Sequence, residues 1–137
     1  MQSTKQLSDK ISCTSKQQEA VIQEFLNKID LEPLHIEILD YIHQHPRIIQ
    51  KKLTEHFGKA LTHPLMTLEN KALICRKASI FDIRQKRVLL TEEGEAVLKE
   101  IQQRYDRIEQ QVQRSLTLAE RTTLFELLDK VQKGLEC

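Results

Sequence analysis

Apolar residues recur every three or four positions along the first part of the chain, which is the spacing of a helix with one buried face. This spacing predicts a helix over residues 4–28, a second over residues 32–44 and a third that begins near Ile49 and ends at Gly58. Pro33 suits the first turn of the second helix, where a missing N–H costs no hydrogen bond, and glycine suits a helix end. The apolar positions behind these helices are Leu7, Ile11, Val21, Phe25, Ile29, Leu34, Ile38, Leu39, Ile42, Leu53 and Phe57.

After the third helix the pattern predicts one more short helix and then a hairpin. Thr62 is predicted as the N-cap of the fourth helix, with Pro64 in its first turn. The apolar residues that continue this helix are Leu65, Leu68, Ala72 and Leu73. The helical spacing of apolar residues then stops. Short strands are predicted over residues 73–77 and 87–90, with a charged loop over residues 80–86 between them.

The last third of the chain is predicted to form two helices. Thr91, followed by two glutamates, marks the start of the first. Its apolar positions form one narrow seam, typical of helix–helix packing: Val97, Ile101, Tyr105, Ile108, Val112 and Leu116. Thr117 and Glu120 match a capping box, and the final helix is predicted to end near Gly134.

Composition supports a folded, mostly helical protein. The chain has 137 residues, 39% of them apolar, with three glycines and three prolines, and so few chain-breaking residues disfavour a sheet-rich fold. No apolar run approaches the roughly 20 residues that a membrane span needs, and residues 1–16 contain no apolar signal core. We therefore expect a cytoplasmic protein with no membrane contact.

Charge is unevenly distributed although the net charge is only +1. Residues 46–90 contain ten Lys and Arg against three Asp and Glu, a local charge of +7, whereas residues 1–45 and residues 91–137 each carry −3. A basic middle between acidic flanks is the pattern expected of a nucleic-acid-binding segment. A basic but merely solvated surface is the alternative interpretation.

The basic segment coincides with the predicted order helix–helix–helix–strand–strand over residues 32–90, which is that of a winged helix-turn-helix. Here the sequence resembles the MarR family of bacterial and archaeal regulators. The resemblance is most specific in residues 68–76 (Leu-Glu-Asn-Lys-Ala-Leu-Ile-Cys-Arg), in Asp82-Ile83-Arg84 and in residues 88–94 (Val-Leu-Leu-Thr-Glu-Glu-Gly), and it covers about residues 29–132. It implies a mostly α fold (α+β) with a two-stranded wing.

The resemblance also implies roles for individual residues. Asp82 would steady the wing, Arg84 would enter the minor groove, and Arg76 would lie near phosphate at the base of the wing. The fourth helix would be the recognition helix. The full set of expected DNA-binding residues is Lys59, Thr62, His63, Thr67, Arg76, Lys77, Arg84, Lys86 and Arg87. Dimerisation would use residues 4–30 and 91–135 of a single domain over residues 1–137.

The candidates for other chemistry are few. Cys13 is the candidate redox residue, but no cation stands beside it to activate the thiol, so a surface or dimer-interface cysteine is favoured. Cys75 is expected in the core. His43 and His45 form a lone His-x-His, a weak metal signal. With no catalytic triad, phosphate loop or paired buried carboxylates, we expect no enzymatic activity, catalytic residue, cofactor or metal.

One departure from the family leaves two functions open. The segment between Leu53 and Leu68 is a few residues shorter than in the family, and Pro64 stands where the family has an interior helical residue. The first function is a homodimeric regulator, expected to be a repressor, that binds a roughly palindromic operator in double-stranded DNA under ligand or redox control. The second is a winged-helix dimer without base-specific readout, acting as a protein–protein adaptor or non-specific DNA binder. The sequence does not identify the effector.

Overall fold

The structure, a computed structural model, describes residues 6–136. Mostly helical, it contains one two-stranded antiparallel sheet, which confirms the expected fold class. The elements in chain order are α1 (Leu7–Ile29), α2 (Pro33–Gln44), α3 (Gln50–Phe57), a 3-10 turn (Lys59–Leu61), α4 (Thr62–Asn70), β1 (Ile74–Ala78), β2 (Lys86–Leu90), α5 (Glu92–Arg114) and α6 (Leu118–Leu135). The predicted start of the first helix at residue 4, and Cys137, lie outside the described residues.

The first three helices lie where their apolar spacing predicts them. At the start of α2 the main-chain N–H of Glu32 donates to Nδ1 of the buried His35 at 2.9 Å, while Pro33 occupies the first turn. The helix α3 ends at Gly58, whose φ of 84° lies in the region that favours glycine. Local chemistry therefore sets both boundaries.

The fourth helix differs from its prediction at both ends. Thr62 is not an N-cap: it has helical dihedrals (φ −55°, ψ −51°), because the 3-10 turn leads directly into α4 and Leu61 precedes the helix. The helix ends at Asn70 instead of continuing through Ala72 and Leu73. Ala72 adopts a left-handed conformation with φ of 60°, and the Leu73 N–H bonds back to the Leu68 carbonyl at 3.0 Å, which turns the chain into β1.

The hairpin is confirmed: β1 begins and ends one residue later than predicted, whereas β2 begins one residue earlier and ends at Leu90 as predicted. The register pairs Ile74 with Leu90, Cys75 with Leu89, Arg76 with Val88, Lys77 with Arg87 and Ala78 with Lys86. Because side chains alternate along a strand, Ile74 and Val88 lie on the buried face. Cys75 lies on the opposite face and is half-buried, so its prediction as a core residue is wrong.

One apolar core holds the helices and the sheet of the winged helix together. Its fully buried side chains come from α2, α3, α4 and both strands: Ile38, Leu39, Ile42, Leu53, Leu65, Leu68, Ile74 and Val88. The segment before α3 joins the sheet edge, since the Val88 N–H donates to the Ile48 carbonyl at 3.1 Å and Ile49 forms a bridge with Arg87. The wing is thereby anchored on α2 and α3.

The chain divides into two compact units within α5, the first ending at residue 102 and the second beginning at residue 103. In the second unit, the predicted capping box of α6 is confirmed: Thr117 Oγ1 accepts from the Glu120 N–H at 3.2 Å, and Glu120 accepts from the Thr117 N–H at 2.8 Å. Within residues 6–136, none of the helices combines the length and apolar character that a membrane crossing requires.

Candidate nucleic-acid interface

The loop between the two strands is closed by main-chain hydrogen bonds. The Ser79 N–H donates to the Gln85 carbonyl at 2.9 Å, and the Gln85 N–H donates to the Asp82 carbonyl at 3.0 Å. The buried Ser79 also accepts from the Phe81 N–H through Oγ at 3.2 Å. These contacts give the wing tip a defined shape that does not depend on its outward-pointing side chains.

Asp82 and Arg84 form the central polar pair of this tip. Oδ1 of Asp82 accepts from the Arg84 main-chain N–H at 3.0 Å and from Nε at 3.2 Å, while Oδ2 lies 3.4 Å from Nη2. The Arg84 side chain and backbone lower the pKa of Asp82 through these hydrogen bonds. Because the Arg84 side chain is still 87% exposed, Asp82 orients the guanidinium without removing it from solvent.

The hairpin carries further cations. Lys77 and Arg87 are directly opposite each other in the register, on the face away from Val88, and Lys86 stands one position nearer the tip. None of the three side chains forms a hydrogen bond or ion pair with a residue in the described range 6–136. Like charges that face each other across two strands repel, so this arrangement favours a polyanionic partner that would neutralise them.

Arg76 has a different environment at the base of the wing. Its Nη1 donates to Gln50 Oε1 at 2.9 Å, and its Nε lies 3.4 Å from Glu69 Oε2. The side chain is only 26% exposed. Arg76 thus connects β1 to the start of α3 and the end of α4. Neither Gln50 nor Glu69 was identified as a functional residue from the sequence. Glu69 could have been, because it belongs to the Leu-Glu pair that opens the family-like segment over residues 68–76.

The outward face of α4 contains most of the predicted recognition residues. Thr62 and His63 are exposed, Thr67 is half-buried, and Lys59 is exposed in the preceding 3-10 turn. Sequence reasoning missed Met66, which is 49% exposed on the same helix. Its position three residues after His63 was an available signal.

The remaining candidates do not converge on a site. His43 Nδ1 lies 3.1 Å from Glu95 Oε2, whereas His45 Nδ1 lies 2.9 Å from the Tyr41 carbonyl. Among residues 6–136, no cluster of three or more His, Cys, Asp or Glu could hold a metal ion. Cys13 is a free, exposed cysteine on α1.

Three helices followed by a cationic hairpin anchored on them define a winged helix-turn-helix protein. No family model matches the sequence, but solved structures match almost the whole chain. A Clostridium acetobutylicum protein assigned to the MarR family of transcriptional regulators is 27% identical, with a TM-score of 0.80 over 93% of this chain and 97% of its own.

Two further structures are of MepR from Staphylococcus aureus, a transcription regulator of the multidrug efflux pump MepA. One is 22% identical, with a TM-score of 0.78, covering 96% of this chain and 99% of MepR. The other, a MepR variant bound to an oligodeoxyribonucleotide, is 22% identical with a TM-score of 0.76, again covering 96% and 99%. The chain therefore has the winged-helix fold of MarR-type regulators, and the resemblance found in the sequence is confirmed at the level of the fold.

Proposed function

We propose that the protein is a DNA-binding regulator of transcription, in which α4 enters the major groove and the hairpin reaches the adjacent minor groove. The observation that carries this proposal is the Asp82–Arg84 pair, which presents an exposed guanidinium at the tip of an ordered hairpin. The negative potential of a narrow minor groove attracts arginine. The similarity to MarR-type regulators, one of them bound to an oligodeoxyribonucleotide, supports the same function.

The cations beside Arg84 would bind the phosphate backbone. Lys77, Lys86 and Arg87 would do so from the hairpin, and Lys59 from the turn before α4. Arg76 is half-buried and already paired with Gln50 and Glu69, so we assign it mainly to positioning the wing, with a phosphate contact from its remaining donors.

Base reading would fall to the exposed face of α4, with Thr62, His63 and Thr67 turned toward base edges. The 3-10 turn connects α3 directly to α4, although this segment is shorter than in the family. Pro64 lies in the first turn of α4, where a proline costs no helical hydrogen bond. Both features support a complete α4 that is able to enter the groove.

We further propose that the regulator acts as a homodimer, with residues 4–30 and 91–135 forming the interface. The support is α6, whose apolar side chains Leu124, Leu127, Leu128 and Val131 are exposed in the single chain. A two-fold dimer would bind a roughly palindromic operator with half-sites about one helical turn apart. Repression is the expected outcome, and a small molecule, or oxidation of the exposed Cys13, would act by changing the spacing of the two wings.

Selection from a random duplex library, followed by titration across a salt series, tests this function. We expect a recovered consensus and an affinity that falls steeply with salt, because phosphate neutralisation releases counterions. Arg84→Ala should weaken binding strongly, whereas Arg107→Ala, which removes an exposed arginine from α5, serves as the matched control. Binding without a consensus would favour the non-specific binder or adaptor instead, and an affinity indifferent to salt would refute DNA binding.

A further inference from the structure

The wing tip exposes three large apolar side chains that the Asp82–Arg84 pair does not explain. Ile80 is 76% exposed, Phe81 is 89% exposed and Ile83 is 80% exposed. Single exposed apolar residues are ordinary. Three of them within four positions, on a loop with the arginine at its end, form a local apolar surface that water solvates poorly. We refer to Ile80, Phe81 and Ile83 as the apolar tip.

The apolar tip is not a consequence of a poorly folded loop. Ser79 is buried and Asp82 is half-buried, and both accept or donate hydrogen bonds that close the turn. The loop thus combines inward polar residues that hold its shape with outward apolar residues whose side chains form none of these bonds. A loop built only to present Arg84 would carry polar residues at these outward positions.

The surroundings of the apolar tip indicate its partner. Arg84 follows Ile83 directly, and Lys86 stands two residues further on. An apolar surface flanked by cations fits the DNA minor groove, where phosphates line both edges and the base edges and sugars lie between them. Proteins that bind this groove insert Phe, Ile or Leu between base steps and partially unstack them.

We propose that Phe81 acts as an apolar wedge against a base step of the minor groove beside Arg84, with Ile80 and Ile83 packing on the flanking sugars. This proposal rests on the proposed DNA-binding function and extends it. The wedge unstacks one step and bends the duplex toward the major groove. The hairpin consequently reads deformability, and it prefers TA and CA/TG steps, which are the easiest to unstack.

Two duplexes of equal composition test the wedge without a known operator. One alternates A and T, so that every second step is TA, and the other is an A-tract of the same length, about 30 base pairs. The A-tract has a stiff, narrow minor groove that suits an arginine, whereas the alternating duplex suits a wedge. The proteins compared are the wild type, Phe81→Ser, Phe81→Leu and Arg84→Ala. Phe81→Ser should remain folded, because no bond that closes the loop uses its side chain.

Phe81→Ser should lower the preference for the alternating duplex over the A-tract by about tenfold, the range of one unfavourable base step. Phe81→Leu should retain most of this preference because it is still apolar. Wild-type protein should raise the fluorescence of 2-aminopurine placed at a TA step, and Phe81→Ser should not. Arg84→Ala should instead reduce the salt slope by about one while the fluorescence change persists.

The possible failures are distinguishable. If the wild type binds neither these duplexes nor the random library, the proposed function fails and the wedge fails with it; if it binds the library but neither of these duplexes, only the wedge is overturned. If the wild type binds with normal salt dependence and Phe81→Ser matches it in duplex preference and fluorescence, only the wedge is overturned. If Phe81→Ser instead changes the sedimentation of the free protein, the apolar tip is a protein–protein contact, and the wedge is equally overturned.

Discussion

Gly94, in the first turn of α5, lies directly against the carbonyl oxygen of Leu73, so that a Cβ at this position would overlap the Leu73 backbone. The same carbonyl accepts the Thr91 N–H at 3.1 Å, and Thr91 Oγ1 donates to the Ala72 carbonyl at 2.6 Å while accepting from the Gly94 N–H at 3.1 Å. The Leu-Thr-x-x-Gly motif thus fastens the start of α5 onto the turn that leads into the wing.

Replacing Gly94 by alanine should destabilise the protein. The clash is with main chain, which cannot rotate away, so we expect a loss of about 1–3 kcal/mol in the free energy of unfolding, as for other overpacked sites. Urea unfolding followed by circular dichroism measures it. Gly134→Ala in α6 is the matched control, because nothing lies within 4 Å of its Cβ position. Equal stability of the two variants would contradict the close approach.

Asp82→Asn should weaken DNA binding when Arg84 is present and strengthen it when Arg84 is replaced by alanine. With Arg84 present, losing the charged partner that orients the guanidinium should weaken binding about two- to fivefold. In an Arg84→Ala background only the repulsion between Asp82 and phosphate is lost, so binding should become slightly tighter. Fluorescence anisotropy on one duplex measures all four proteins.

Glu55→Gln, which removes an exposed acid on α3 that pairs with Lys52, is the control for a simple change of charge. It should tighten binding slightly in both backgrounds. If Asp82→Asn behaves like Glu55→Gln in the presence of Arg84, then Asp82 does not orient the arginine.

Sequence reasoning succeeded where the signal is local. The spacing of Ile38 and Ile42 sets α2, Gly58 ends α3, and the pair Thr117 and Glu120 marks the start of α6, because each depends on residues within a turn or two. The wing was predicted from two signals: the helical spacing of apolar residues stops after α4, and the sequence resembles a family that has a wing. Packing between residues distant in sequence then completes the wing.

The errors arose where distant contacts decide the conformation. Ala72 is a good helix former, but its φ of 60° is imposed by the junction with Thr91, whose hydroxyl binds the Ala72 carbonyl. The partners of Arg76, Gln50 and Glu69, could not be found from the sequence, because they lie on other elements and meet Arg76 only through the tertiary fold. The predicted loop over residues 80–86 contains Phe81, but its 89% exposure was not predicted, since an aromatic side chain is ordinarily at least partly buried.

Acidification should destabilise the protein through His35. Burial lowers the pKa of His35 below its ordinary value of 6.5, with a nearby Glu32 opposing the shift. At a pH between the lowered pKa of His35 in the folded protein and its ordinary value of 6.5, the unfolded chain binds a proton that the folded chain does not. Stability is therefore fully present above pH 6.5 and falls as the pH drops below it. Thermal unfolding at a series of pH values from 8 to 5 measures this loss.

His35→Gln should flatten that pH dependence without removing the helix cap. Glutamine at the third helical position ordinarily accepts the N–H of the N-cap residue, as His35 Nδ1 accepts that of Glu32, but it does not titrate. His43→Gln, at an exposed histidine paired with Glu95, is the comparison. A pH profile of His35→Gln identical to that of the wild type would show that another group is responsible.

The exposed apolar face of α6 should control dimerisation. Leu128→Lys places a charge among Leu124, Leu127 and Val131, and burying that charge in an interface without a partner is costly. We expect the dissociation constant of the dimer to rise at least about tenfold, as for a central interface residue. Sedimentation velocity over a concentration series measures it.

Thr122→Lys is the matched control, because it adds the same charge at an exposed polar position of α6 that lies on the side of the helix opposite Leu124, Leu127 and Leu128. It should leave the dimer intact. Leu128→Lys should also lose affinity for a palindromic duplex while binding a single half-site like the wild type, because each wing and each α4 remain unchanged. A wild-type protein that stays monomeric at every concentration would refute the proposed dimer and leave α6 to another partner.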